Sequence, residues 1–244
     1  MTYDTIGRGY AARRRADPRI AAQINAALGD ARRVLNVGAG AGSYEPVDRH
    51  VVAVEPSEVM IAQRASDAPP VVRAVAEQLP FPSGSFDAVL GVLTVHHWSD
   101  LGAGLAEMCR VAPRRVVLTF DETHATAYWL VADYFPEIAA VESARAPQLE
   151  EVAGGLGATR VDVVPVPHDC TDGFAGAYWR RPEAYFDPTV RRGMSSLAVL
   201  PDDVLEPALA RLRADLDSGE WHERHAHLLA LDEIDLGYRL VVSG

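Results

Sequence analysis

Short apolar runs alternate with helical stretches through the first half of the chain, and this alternation restricts the fold more than any other feature. The runs are Arg33–Val37, Val51–Glu55, Val71–Val75, Phe86–Leu93 and Arg115–Phe120. Between them lie Ser57–Ala65 and Leu101–Val111, the latter with apolar residues at helical spacing. Runs that are apolar throughout belong to parallel sheets covered on both faces. The first half therefore reads as an open, doubly wound α/β sheet, whose ligands sit at the carboxyl ends of the strands. Thr159–Val164 and Gly237–Val242 read as further strands, which brings the expected sheet to seven. Before the first run, Asp17 and Pro18 have the pattern of an N-cap and first helical position, and Gly29 ends that helix.

These signals divide the chain into a helical N-terminal segment (1–30), a core (31–121), a helical insertion (122–158) and the remaining strands (159–244), interrupted by a second insertion at about 170–235. No internal repeat is visible. The two insertions are expected to form a lid over the substrate side of the sheet.

Composition excludes several classes. With 23 basic and 34 acidic residues the net charge is -11, which disfavours a nucleic-acid backbone as partner. No apolar run reaches the ~20 residues of a membrane helix, and the start of the chain lacks a signal-peptide core. Two cysteines, Cys109 and Cys170, are too few for a disulfide scaffold and suit a reducing cytoplasm. Every basic residue is arginine, so lysine Schiff-base chemistry and the lysine of a phosphate-binding loop are excluded.

The segment Val34–Ser43 (VLNVGAGAGS) is a buried strand running into a glycine-rich turn, and the next strand ends in Glu55, a carboxylate suited to a ribose diol. Glycines at such a turn allow positive φ and close approach of a ligand to bare main chain. A dinucleotide fold wants a third glycine at position 43, where this chain has Ser, and a helix directly after the turn. Only eight residues separate Gly42 from Val51, Pro46 among them, so no helix fits. A ligand without phosphate is therefore expected on a Rossmann-like core.

The stretches VLNVGAGAGSYE, VVAVEPSEVM and AEQLPFPSGSFDAVLGVLTVHHW resemble, in order and spacing, motifs of class I S-adenosylmethionine (SAM) methyltransferases, most closely the ubiquinone/menaquinone-biosynthesis (type 11) group. The resemblance covers about residues 33–120. It implies that Gly38, Gly40 and Gly42 shape the loop under the methionine and ribose, that Glu55 binds the ribose hydroxyls, and that Pro56 begins the turn beside adenine. It places Ala76 and Glu77 at the adenine, and Leu93 and Thr94 near the methionine end. Val75 stands where the family often has Asp, a departure at the adenine amino group. The resemblance further implies SAM as cofactor, S-adenosylhomocysteine (SAH) as product, no required metal, and an N-terminal segment (Thr2–Arg15) that folds over the bound cofactor.

For the transfer itself, His97, then His96, are the expected bases, since imidazole titrates near neutrality. Asp121, just after the fifth strand, is the third candidate. Tyr128, Trp129, Tyr178 and Trp179 are candidate walls of the acceptor pocket, with Arg180 or Arg181 to pair with an acidic group on the acceptor. The run Trp221–His227 (WHERHAH) lacks the spacing of a zinc helix and reads as an exposed polar face. The expected activity is methyl transfer to O, N or C of a small molecule. The rivals are an RNA methyltransferase, disfavoured by the acidic charge and by GVLTVH (91–96) in place of an N/D-P-P-Y/F segment, and a non-catalytic SAM-binding regulator.

Overall fold

The computed structural model describes residues 14–121, 123–124, 128–143 and 146–244. Residues 2–13 of the expected N-terminal lid lie outside this set. The helix Pro18–Leu28 (α1) starts as its sequence dictates: Asp17 is the N-cap, its Oδ1 accepting from Arg19 N at 2.9 Å, and Gly29 ends it at φ 60°. There follow β1 (Arg33–Val37), β2 (His50–Val54), a single turn α2 (Glu58–Ile61), β3 (Val71–Val72), β4 (Ala88–Val92), α3 (Leu101–Val111) and β5 (Arg114–Phe120). Beyond them come a π-helical turn (Leu130–Tyr134), α4 (Pro136–Ser143), α5 (Leu149–Leu156), β6 (Arg160–Val163), β7 (Val166–Pro167), α6 (Pro188–Arg191), α7 (Ser195–Ala198), α8 (Asp202–Ser218), α9 (Glu220–Arg224), β8 (Glu233–Ile234) and β9 (Tyr238–Ser243).

Seven strands form one sheet in the order β3-β2-β1-β4-β5-β9-β6. The first five are parallel, and β9 runs antiparallel between β5 and β6. Alternate residues of each strand face opposite sides. Val34, Leu90, Val116 and Leu240 pack with α1 and the aromatic residues of the later segments. Leu35, Val89, Val117 and Val241 pack with Leu105 and Met108 of α3 and Val152 and Leu156 of α5. This two-sided burial is why the strands read as continuous apolar runs. Strand order reverses between β1 and β4, which sets a ligand crevice at their carboxyl ends.

Three expectations need correction. The run at 71–75 gives only a two-residue strand, and Val75 lies outside it, 45% exposed. The helical stretch expected over Ser57–Ala65 is a single turn, Glu58–Ile61. The stretch 122–158 is not one insertion, because α5 covers the sheet and leads from β5 back to β6. The second insertion is pinched at its base by a two-stranded ribbon, Val166 pairing with Ile234 and Pro167 with Glu233.

Asp17 also ties α1 to this insertion, since its Oδ2 accepts from Thr171 N at 3.1 Å. Asp17→Ala removes a cap and that tie together. A loss of about 1–2 kcal/mol is expected, judged from the cap. Urea unfolding measures it, and an unshifted midpoint would show that the helix start does not need Asp17.

Candidate functional site

Two cavities open at the carboxyl edge of the sheet. The first, about 1150 Å³, lies over the β1 turn. Gly38, Gly40 and Gly42 all have positive φ, at 65°, 53° and 94°. Gly38 also has no room for a side chain: a Cβ there would stand 1.9 Å from Thr94 Oγ1. The bare turn is thus enforced by a neighbour as well as by backbone shape. No helix stands between this turn and β2. In its place a buried ion pair supports the turn from behind, Arg64 Nη2 donating to Glu45 Oε2 at 2.8 Å while Asn36 Nδ2 donates to Glu45 Oε1 at 3.1 Å.

Glu55 follows β2 and is 5% exposed. Its Oε2 accepts from Gly40 N at 2.8 Å and its Oε1 from Ser57 N at 2.9 Å, so the carboxylate is aimed by backbone on both sides. Glu55, Pro56, Ala76, Glu77, Leu93 and Thr94 line this cavity with Gly38 and Gly40, whereas Gly42 lies outside the lining. Burial raises the Glu77 pKa, but hydrogen bonds from Ser99 and Asp100 outweigh it and hold the carboxyl below its usual value. His97, exposed, also lines this cavity.

A narrow cradle of glycines, a buried carboxylate and the buried apolar Ala76 fit a molecule with an amino-acid tail, a ribose and a flat base. SAM has those three parts, and no helix stands directly after the glycine turn, where a dinucleotide fold sets its pyrophosphate.

The second cavity, about 890 Å³, adjoins the first and shares Leu93 and Arg14 with it. Leu93 has φ 49°, a left-handed conformation that a branched side chain rarely adopts. Such strain persists where surrounding structure imposes it, commonly at functional sites. Here it sets the residue between the two cavities. The second cavity is mostly apolar and aromatic: Phe120 and Tyr238, cross-strand neighbours on β5 and β9, line it with Tyr128, Val131, Ile138, Phe174 and Met194. His96 and Asp121 supply polar groups. The His96 ring stands 5.4 Å from Phe120 and 3.9 Å from His97. Burial pushes the Asp121 carboxyl up, but the Thr123 hydroxyl and N–H, at 2.6 and 3.0 Å, together with nearby His124 and Arg239, hold it below the usual range.

Of the expected acceptor residues, the structure brings only Tyr128 to this cavity. Trp129 and Trp179 are core residues: Trp129 Nε1 donates to Trp179 O at 2.8 Å, and Trp179 Nε1 to Val166 O at 3.0 Å. Arg181 lies over the Tyr178 ring and donates to the carbonyls of Cys170 and Ala177, while Arg180 donates to Leu231 O. These groups fasten the insertion and do not face the cavity. Among the described residues no three His, Cys, Asp or Glu side chains gather as metal ligands. His225, from the WHERHAH run, is buried and bonds Asp133 instead of facing solvent. No described helix is long and apolar enough to cross a membrane.

Sequence and structure comparisons agree with this geometry. A family model for a methyltransferase domain (Methyltransf_11) matches residues 35–119. The fold superposes with TM-score 0.88 on a protein of Anabaena variabilis ATCC 29413 assigned as a methyltransferase of an antibiotic biosynthesis pathway. The two are 36% identical, over 95% of this chain and 98% of that one. An uncharacterised methyltransferase of Bacillus subtilis, YcgJ, is 32% identical over 90 residues, which is 32% of this chain and 36% of that curated relative. The geranyl diphosphate C-methyltransferase of Streptomyces coelicolor A3(2), solved with SAH, shares the fold at TM-score 0.51 and 14% identity, over 91% of this chain and 74% of that one.

Proposed function

The chain belongs to the SAM-dependent methyltransferases of class I, and from that premise we propose that it methylates a small, mainly apolar molecule held in the second cavity. One observation carries the reading: a mostly apolar cavity with several aromatic walls meets the glycine-turn cleft at Leu93 and Arg14, so its occupant lies beside the methionine end of the cofactor.

Bound SAM supplies an electrophilic methyl on a sulfonium, so little activation of the leaving group is needed. The chain contributes alignment and exclusion of water. The glycine turn and Thr94 hold the amino-acid tail, Glu55 takes the ribose hydroxyls, and Ala76 and Glu77 flank the base. Phe120, Tyr128 and Tyr238 press the acceptor toward Leu93. His96 accepts the proton that an O–H or N–H acceptor loses as the new bond to carbon forms. The negative net charge and the cavity's size support a small molecule over a polynucleotide. The free thiols of Cys109 and Cys170 support a cytoplasmic setting.

Incubation with methyl-labelled SAM and fractionated bacterial extract tests the proposal. Label is expected in a small apolar product, with SAH formed in equal amount. Label in RNA would replace the small-molecule reading, and SAH binding without turnover on any fraction would leave a regulator.

A further inference from the structure

Arg14 stands where the two cavities meet and lines both. Its Nε donates to Asp172 Oδ1 at 2.6 Å and its Nη2 to Asp172 Oδ2 at 3.1 Å. The Asp172 side chain is fully buried, and that of Arg14 is 9% exposed. The Tyr44 hydroxyl donates to the same Oδ2 at 2.9 Å, and Gly173 N donates to Oδ1 at 2.7 Å. One carboxylate thereby gathers three segments far apart in the chain. Tyr44 closes the glycine turn and lines the cofactor cleft. Phe174, Ala175 and Gly176, directly after Asp172, line the acceptor cavity. Ser43 Oγ donates to Arg14 O at 3.2 Å, which ties the turn to the same strand of chain.

A buried ion pair is a poor device for stability, because desolvation roughly cancels the attraction and apolar side chains do as well. Its particular property is direction. Two parallel N–H···O bonds fix the plane of the guanidinium and the orientation of the carboxylate. A hydrogen bond from Tyr44 and another from Gly173 then fix the glycine turn and the acceptor wall relative to that plane.

We propose that Asp172 is a positioning residue that couples the two sites: occupation of the cofactor cleft, felt at Ser43 and Tyr44, sets the acceptor wall at 174–176 through the Arg14–Asp172–Tyr44 cluster. The proposal rests on the reading of the first cavity as the SAM cleft. Linkage is reciprocal, so a bound acceptor tightens SAH by the same factor.

Hydrogen exchange of the full chain, with and without SAH, tests it. In the wild type, SAH slows exchange at 172–176 by roughly 5–150-fold, the usual range of coupling between sites, and also slows the turn at 38–42. In Tyr44→Phe and Asp172→Asn, each saturated with SAH, slowing persists at 38–42 and is lost at 172–176. A merely structural Asp172 would speed exchange at 172–176 equally with and without SAH, leaving the ratio unchanged. That result, or a wild-type 172–176 segment indifferent to SAH while 38–42 responds, overturns the proposal. Absence of SAH binding by calorimetry overturns the cofactor reading and the proposal with it. Should Asp172→Asn not fold, Tyr44→Phe carries the test, since it removes one hydroxyl and leaves the ion pair in place.

Discussion

Glu55→Ala is expected to weaken SAH and SAM binding about 100-fold, the equivalent of about 3 kcal/mol. The carboxylate is 5% exposed at the floor of the cleft, and the backbone N–H groups of Gly40 and Ser57 aim it from either side. Two ribose hydroxyls would each contribute a hydrogen bond to a charged acceptor, about 1.5–3 kcal/mol apiece before water replaces part of the loss. Alanine also removes the shared partner of Gly40 and Ser57, so the glycine turn loses its anchor at the same step. Glu55→Gln perturbs both without opening a cavity. It keeps the size, but its amide nitrogen must turn toward Gly40 N or Ser57 N, donor against donor. Glutamine should therefore lose nearly as much affinity as alanine. Calorimetry with SAH measures both variants, and wild-type affinity in Glu55→Ala would remove the residue from the cofactor site.

The cofactor half of the molecule was legible because its signals are local. A strand, a turn of positive-φ glycines and an acid at the next strand end are read within 23 consecutive residues, 33–55, and the absence of a helix follows from simple counting. The acceptor half is assembled from contacts that sequence spacing does not encode. Arg14 and Asp172 lie 158 residues apart, and neither belongs to a periodic pattern. Aromatic density at 128–129 and 178–179 marked an important region without separating core from cavity. Large aromatic side chains are the material of both, and Trp129 and Trp179 went to the core. Which cavity His96 and His97 each line was equally hidden. The two rings lie against each other, 3.9 Å apart, and a pair of adjacent histidines carries no periodic signal that tells which cavity each one lines.

That difference changes which substitution should stop the chemistry. His96 lines the acceptor cavity beside Phe120, and His97 lines the cofactor cleft, exposed. Asp121 also lines the acceptor cavity, but bonds from Thr123 keep its pKa below the usual carboxylate range despite burial, and a weakened base gains little as a proton acceptor near neutrality. His96 is thus the group best suited to receive the proton. General-base catalysis contributes typically 10²–10⁴-fold. His96→Ala should therefore lower kcat by about that factor with little change in SAH affinity, whereas His97→Ala should act chiefly on cofactor binding. The pH profile supplies a second readout: with a histidine base the wild-type rate falls on the acid side as the imidazole protonates, and that limb disappears in His96→Ala. An acceptor that attacks through carbon, or that arrives already deprotonated, needs no base, and the same substitution then costs only the packing against Phe120. Full turnover in a folded His96→Ala enzyme, with the acid limb unchanged, would remove the imidazole from the reaction and leave alignment against the sulfonium methyl as the source of the rate.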